Sequence, residues 1–250
     1  MTGAAPAVAA LAAGAVALLA WRARSLTGGG AAAGWLVGSL VLVGTGWAGG
    51  AVLAAFFVSS TAVGGDERRD ARQVAANGAP AAVGALLGLH HPALGLWIVT
   101  GSLAGAAADT WATGIGTRSR TAPRLLLLGR PVAAGTSGGM TPLGCAGAAA
   151  GALLVAAVGA AAGSAPALLP LGTLVGFAGM LADSVLGSAW QGRFHCPACD
   201  QPSEWRVHRR CGTRTLWQGG ARWLDNDGVN LAATALAGTL AGLAWLACCR

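Results

Sequence analysis

Long apolar segments alternate with short polar ones along almost the whole chain of 250 residues. Eight of these segments have the character of membrane-spanning helices, because a bilayer core about 30 Å thick requires about 20 apolar residues per helix. Their expected bounds are 4–21, 31–46, 47–63, 74–90, 93–115, 139–163, 167–190 and 227–248. The pattern therefore predicts an all-α polytopic transmembrane bundle of about eight short spans, within a range of about six to eight.

The second and third segments are short and meet in the glycine-rich run 44–50. Glycine permits sharp backbone turns. Irregular backbone at membrane depth is tolerated where protein covers it. We expect these two segments to form one broken helix or a re-entrant hairpin.

Composition places the chain in lipid and excludes a soluble domain. Hydrophobic residues make up 54% of the sequence and charged residues only 10%, far from the balance of soluble proteins. The net charge of +7 does not indicate a nucleic-acid partner, because the arginines are scattered over several loops without a continuous basic stripe. We expect one integral membrane domain over 1–250, in contact with membrane lipids, with a polar loop 191–226 before the last span.

Positive charge is sorted to one side of the predicted bundle. Fifteen of the sixteen arginines lie in the loops 22–30, 64–73, 116–138 and 191–226. Since cytoplasmic loops retain positive charge, the pattern predicts a multi-pass protein of the cell membrane with both termini outside. The first segment has no basic residue before its apolar run, which favours a retained span over a cleaved signal.

Two acids lie at the arginine-bearing ends of apolar spans, Asp109 and Asp183. An ionised carboxylate there costs several kcal/mol, on the order of the insertion scales, unless it is paired or hydrated. Nearby hydroxyl residues, Thr113 and Ser184, are candidates for binding phosphate. Carboxylate and hydroxyl oxygens suit Mg²⁺. The alternative is a structural Asp bonded to an arginine or a helix end.

The glycine-rich segment before the sixth span is a candidate phosphate site. Backbone amides and hydroxyls at a helix N-terminus attract anions. Four arginines upstream, Arg118, Arg120, Arg124 and Arg130, have guanidinium groups that match phosphate geometry, and Arg124 and Arg130 are the ones assigned to phosphate binding. The candidate phosphate-binding residues of the segment are Gly135, Thr136, Ser137, Gly138 and Gly139.

Further polar residues are expected on the same face. The last span begins at a cluster that contains Asp225, Asn226 and Asn230, while Asn77 and Gln191 lie near the ends of other spans. We interpret them as members of one catalytic site with Asp109 and Asp183. An acid at a helix start can alternatively serve only as its cap.

The loop 191–226 carries a cysteine and histidine pattern, Cys196, Cys199, His208 and Cys211. Two close pairs of such ligands are typical of a tetrahedral structural zinc site. The alternatives are an unliganded reduced knuckle or, with the topology inverted, a disulfide. His195 is a spare ligand candidate. The other cysteines, at 145, 248 and 249, are expected to be small buried residues.

At these motifs the chain resembles an integral membrane family of unknown function that contains transmembrane protein 19 and the plant phytyl-phosphate kinase. The order and spacing agree over about residues 26 to 240. The matching stretches are 69–78, 108–113 with Gly116, 135–139, 179–191 and 225–230. The family pattern has a Glu at the position that Gly114 occupies here.

This resemblance implies transfer of a phosphoryl group from a nucleoside triphosphate, with CTP favoured, to a prenyl monophosphate in the membrane. It implies Mg²⁺ on Asp109 and Asp183, with arginines and amides that neutralise phosphate charge. Two other functions are consistent with the residues: a transporter of an anionic lipid, and a non-catalytic scaffold whose zinc loop binds a partner.

Overall fold

The computed structural model describes residues 4–65, 68–127, 129–133 and 136–249. Gly135, one of the predicted phosphate-binding residues, lies outside them. Within these ranges the chain forms seven helices: α1 Pro6–Arg22, α2 Gly28–Gly64, α3 Ala71–Gly88, α4 Pro92–Gly116, α5 Pro142–Gly163, α6 Leu168–Ala189 and α7 Asn226–Cys248. The strands are β1 Arg124–Leu125, β2 Gly139–Met140, β3 Arg193–Cys196, β4 Gln201–Ser203 and β5 Leu216–Gly219.

Helix α2 consists of two arms that fold back on each other. Gly46 has φ 65° and ψ −158°, a left-handed backbone that favours glycine. A Cβ placed on Gly38 would lie 3.8 Å from Leu53 Cδ2, and one on Gly50 would lie 2.6 Å from Leu42 Cδ2. Positions 38 and 53 would be about 22 Å apart in a straight helix. The expected break at this glycine run is confirmed, and the two arms form a hairpin.

The hairpin bend lies at the end of the bundle where α3 ends. Gly44 packs directly on the backbone carbonyl of Ala85, and a Cβ on Gly88 would lie 2.7 Å from the carbonyl oxygen of Gly44. The N-terminal segment also reaches this end, because the Ala4 amide donates to the Leu42 carbonyl at 3.0 Å. Each arm of α2 therefore extends along the bundle.

Helix α4 forms the centre of the fold. It packs against α2, α3, α5, α6 and α7, and its stretch from Gly95 to Ala108 is buried except at Ile98. Large apolar side chains face outward elsewhere, such as Leu11, 76% exposed, and Leu174, 65% exposed. An apolar outer surface around a small-residue interior is the arrangement that lipid allows.

Four helices, α2, α5, α6 and α7, are long and apolar enough to cross a membrane by length and composition, and α1 is a shorter apolar helix. The structure is therefore that of a mostly helical membrane protein. The count of eight spans stays a prediction.

Side-chain caps decide where several helices begin. Asp70 caps α3 in a reciprocal pair with Gln73, and Asp225 caps α7 by accepting from the Gly228 amide at 3.2 Å. The sixth predicted span was expected to begin at 139, but Gly139 pairs with Leu125 in the short β1–β2 ladder. Helix α5 begins only at Pro142, after the cap Thr141.

Gly44 provides a test of the hairpin packing. Gly44→Ala should lower the free energy of unfolding by about 1–3 kcal/mol, because the new methyl group overlaps the Ala85 carbonyl. The measurement is thermal unfolding of the purified protein in detergent. Gly28→Ala is the matched control, since nothing lies within 4 Å of a Cβ there. Equal melting temperatures for the two variants would contradict this packing.

Candidate functional site

The arginine-bearing loops converge at one end of the bundle around a cavity of about 940 Å³. It lies among the C-terminal ends of α1, α2, α4 and α6 and the N-terminal ends of α3, α5 and α7. Many residues singled out in the sequence line it. They are Asn77, Asp109, Thr113, Thr136, Ser137, Gly138, Gly139, Asp183, Ser184, Asn226 and Asn230.

Asp109 of α4 and Asp183 of α6 lie on helices that approach each other through small residues. A Cβ on Gly176 would lie 2.7 Å from Ala104 Cβ, so the two helices are in backbone contact one to two turns from the acids. The two carboxylates are close enough for their charges to interact. Asp183 Oδ2 is buried without a hydrogen-bond partner in the described part of the chain, which leaves it available to a ligand.

The structural alternative for these two acids was pairing with an arginine or a helix end. Among the described residues, no ion pair within 4.0 Å involves Asp109 or Asp183. Both side chains instead line the cavity. A carboxylate in this position needs a bound cation, a proton or water to offset the cost of its burial.

Four arginines line the cavity, Arg24, Arg68, Arg69 and Arg118. Arg68 Nη2 donates to the Leu26 carbonyl at 2.9 Å. Burial lowers the pKa of Arg69 below its ordinary value, and its guanidinium lies 5.8 Å from the ring centre of Phe56. The cavity therefore combines carboxylates with guanidinium groups.

Of the upstream arginines predicted to clamp phosphate, Arg118 lines the cavity, whereas Arg120, Arg124 and Arg130 do not. Arg124 Nη1 donates to the Gly129 carbonyl at 2.7 Å, and Arg130 is exposed. Closeness along the chain suggested these two. The hairpin of α2 brings Arg68 and Arg69 to the cavity in their place.

The glycine-rich segment differs from the predicted phosphate cradle. The Gly139 amide donates to the Thr136 carbonyl at 2.9 Å, so this amide is already used. Gly138 has φ 74°, and a Cβ there would lie 2.5 Å from the Ser184 carbonyl oxygen, so it serves close packing on α6. At the start of α5, Thr141 Oγ1 accepts from the Gly144 amide at 3.0 Å, so this amide is used as well.

Asp225 and Gln191, both predicted as catalytic, are not cavity-lining residues either. Besides capping α7, Asp225 accepts from Arg72 Nη2 at 2.8 Å. The capping alternative describes this acid. Gln191 is buried and hydrogen-bonds Glu204. It therefore helps to position Glu204, which lines the cavity.

Asn77 and Asn230 present amide groups to the cavity from α3 and α7. The Asn77 amide donates to the Gln73 carbonyl at 3.1 Å, and the Asn230 amide donates to the Asn226 carbonyl at 3.0 Å. Their side-chain oxygens remain as acceptors, so these residues fit binding of a donor or cation better than direct binding of phosphate.

Glu204 is a cavity residue that no sequence pattern indicated. It is contributed by the Cys/His loop, residues 191–226, and its Oε1 accepts from Ser137 Oγ at 2.6 Å. Burial raises the pKa of Glu204, while the hydrogen bonds from Ser137 and Gln191 and the charge of Arg209 oppose that shift. A single Glu in a polar loop carries no periodic signal, so only its tertiary position reveals it.

Arg209 fastens the Cys/His loop to the bundle. Its Nη2 lies 2.9 Å from Asp227 Oδ1 and 3.6 Å from Asp70 Oδ2, at the starts of α7 and α3. The guanidinium also lies 4.1 Å from the ring centre of Trp205. Breaking a buried ion pair of this kind is costly. The loop is therefore held in one position beside the cavity.

The four predicted zinc ligands form one cluster. The ligand atoms of Cys196, Cys199, His208 and Cys211 all lie within 4.8 Å of one another, and the sulfurs of Cys196 and Cys211 are 3.5 Å apart. Two thiolates on one tetrahedral zinc ion are separated by about 3.8 Å. The cluster carries no disulfide, so its donors fit a metal.

The remaining candidates lie elsewhere. His195 Nε2 is 3.1 Å from Asp200 Oδ1, outside the cluster. Cys145 lines the cavity, while Cys248 and Cys249 are exposed. The expectation that these three cysteines are buried is therefore wrong for 248 and 249, because both lie at the end of the last helix, where few neighbours cover them.

The model of one protein family, described as Integral membrane protein DUF92, matches residues 11–238. No curated protein and no solved structure matches the chain. The matched region includes every helix except the ends of α1 and α7, and it contains the cavity and the Cys/His cluster. The chain therefore belongs to the integral membrane protein family DUF92.

Proposed function

We propose that this protein is a membrane enzyme that transfers the terminal phosphoryl group of a nucleoside triphosphate, with CTP favoured, to a prenyl monophosphate. A phosphate oxygen of the acceptor forms a bond to the terminal phosphorus, and the bond from that phosphorus to the nucleotide breaks. The products are a prenyl diphosphate and CDP. The observation that carries this proposal is a single cavity lined by the two carboxylates of Asp109 and Asp183 and by four arginines.

Two polyanions must approach each other in this reaction, so catalysis is mainly neutralisation and alignment of charge. The guanidinium groups of Arg24, Arg68, Arg69 and Arg118 are suited to phosphate oxygens, which they can bind in a forked geometry. They also distinguish the cavity from a plain cation site. All four belong to loops that join at the cavity.

The donor set fits Mg²⁺, which prefers oxygen ligands and retains several waters. Asp109 and Asp183 would hold it, and the unpartnered Oδ2 of Asp183 is the observation that supports this assignment. When bound, the ion would neutralise charge on the transferring phosphates. The hydroxyls of Thr113 and Ser184 line the same cavity and are available as further oxygen donors.

Part of the cavity wall is apolar. Val63, Ala112, Cys145 and Met180 line it together with the charged residues. Such a wall suits the first carbons of an isoprenoid chain while the phosphate lies among the arginines. This combination supports a lipid phosphate as acceptor over a sugar or a protein hydroxyl.

The alternatives receive less support from the geometry. A transporter of an anionic lipid requires polar groups at both ends of the bundle. The cavity between α5 and α6 at the opposite end, about 490 Å³, is lined by Ala157, Ala160, Ala161, Ser164, Pro166 and Leu169. A scaffold requires no cavity at all. Lipid transfer across liposomes that is lost in Asp109→Asn without any product formation would favour transport.

The two aspartates test the proposed reaction. Asp109→Asn and Asp183→Asn should each reduce formation of prenyl diphosphate by about 100-fold or more, because each removes a charge that would hold the cation. The assay uses purified protein in detergent with CTP, Mg²⁺ and geranylgeranyl phosphate. Asp200→Asn, an exposed acid outside the cavity, is the matched control and should retain wild-type activity. Wild-type protein that forms no product would count against the proposal.

We also propose that the Cys/His cluster binds one structural zinc ion. Purified protein should contain about one zinc per chain by plasma emission spectroscopy. Cys196→Ser should lose it, because Cys196 belongs to the cluster, whereas Cys248→Ser should retain it, since Cys248 lies at the end of α7. A zinc content that does not change in Cys196→Ser would reject this site.

Gly114 provides a test of the missing family Glu. A Cβ on Gly114 would lie 2.5 Å from the Val63 carbonyl oxygen, so the end of α2 occupies the space that a Glu would need. Gly114→Glu should therefore lower the free energy of unfolding by about 2 kcal/mol without raising activity. Thr117→Glu, at an exposed position beside it, is the control for added charge. A gain in turnover on Gly114→Glu would show that α2 can move aside.

A further inference from the structure

The Cys/His loop forms part of the cavity wall. Glu204 and Trp205 of this loop line the cavity together with the ends of the helices. In the sequence, Glu204 lies between the two halves of the cysteine and histidine cluster, five residues after Cys199 and four before His208. The cluster and the cavity are thus joined through a very short length of chain.

The backbone around Glu204 is fixed from both halves of the cluster. On one side, Ser203 ends β4 and pairs with Phe194 of β3, the strand that also carries Cys196. On the other side, Thr215 Oγ1 donates to the Trp205 carbonyl at 2.8 Å. This bond belongs to a second hairpin of the loop, in which Val207 pairs with Arg214.

This second hairpin also contains the other two ligands of the cluster. The His208 amide donates to the Thr213 carbonyl at 2.9 Å, and the Gly212 amide donates to the His208 carbonyl at 2.8 Å. Loss of the cluster would therefore release the turn that carries Glu204 from both sides.

Glu204 lines the same cavity as Asp109 and Asp183. Its charge is close enough to interact with those of Asp109 and Asp183. Three carboxylates from α4, α6 and the loop thus surround one volume, and Asp183 Oδ2 has no hydrogen-bond partner among the described residues. A buried carboxylate oxygen without a donor is free to bind a cation.

The spacing of the three acids differs from that of the zinc cluster. In the described ranges, only the cysteine and histidine group has its ligand atoms all within 4.8 Å of one another. The wider carboxylate set suits an ion that keeps part of its water shell, as Mg²⁺ does.

We propose that Glu204 is the third carboxylate of a divalent-cation site with Asp109 and Asp183, and that assembly of the Cys/His cluster positions it there. The inference deepens the proposed function, on which it rests for the reaction that the cation serves. The cation site itself requires no nucleotide. The loop would then make cation binding in the cavity depend on the state of its four cysteine and histidine ligands.

The test is Mn²⁺ binding to the full-length protein in detergent without nucleotide. Electron paramagnetic resonance measures the fraction of Mn²⁺ that is bound. Glu204→Gln should weaken Mn²⁺ binding roughly tenfold or more, because it removes one charge while its amide oxygen can still accept from Ser137. Asp200→Asn, in the same loop, should bind Mn²⁺ as the wild type does. Both variants should keep their zinc, which shows that the loop is folded.

A separate experiment tests whether cation binding in the cavity depends on the Cys/His cluster. Removal of zinc from the wild type by a chelator should weaken Mn²⁺ binding at least as much as Glu204→Gln does, and restored zinc should recover it. The chelator should have no further effect on Glu204→Gln, since the two changes act on one element. Because zinc removal is reversible, this test uses the wild-type chain and does not depend on whether a cluster variant such as Cys196→Ser folds.

Wild-type Mn²⁺ affinity in Glu204→Gln, or in the zinc-depleted wild type, would overturn the inference, as would wild-type protein that binds no Mn²⁺. Wild-type protein that binds Mn²⁺ in the expected way but forms no prenyl diphosphate would contradict the proposed function alone. The two failures are therefore separate.

Discussion

Close packing of glycine and alanine around α4 is the constraint on which the rest of this structure depends. In lipid no hydrophobic force holds helices together, so they must come near enough for van der Waals contact along their backbones. A Cβ on Gly105 would lie 3.0 Å from Ala237 Cβ, and one on Gly179 would lie 3.4 Å from Gly105 Cα. This contact among α4, α6 and α7 brings Asp109 and Asp183 together at one end of the bundle.

Charge at that end is organised in two layers. The outer layer ties the helix starts to the loop: Arg72 pairs with Asp225 at 2.8 Å, and Arg209 pairs with Asp227 at 2.9 Å. The guanidinium partners of these acids offset part of the free-energy cost of desolvating them. The inner layer, Asp109 and Asp183, has no such partner among the described residues. A carboxylate that a protein buries at such a cost and leaves unpaired is a mark of a functional site.

The Cys/His loop connects the two layers. Arg209 holds it on the starts of α3 and α7, while Glu204 reaches Ser137 at 2.6 Å beside the cavity. A loop of this size has little apolar core of its own, so its shape depends on its paired strands and on its contacts with the bundle. The cysteine and histidine cluster lies in this loop, next to the cavity, and none of its four residues lines the cavity.

The alternation of long apolar and short polar segments determined the membrane class and the approximate helix positions. The glycines at 44–50 indicated the hairpin of α2. These properties follow from local composition. Charge sorting along the chain likewise indicated one polar end. Only the tertiary structure decided which residues meet there: it brought in Glu204 and Arg69, turned Asp225 into a cap, and left Arg124 outside the cavity. The physical reason is that a site of this kind depends on side chains from distant segments, and their approach is set by helix packing, which no local pattern encodes.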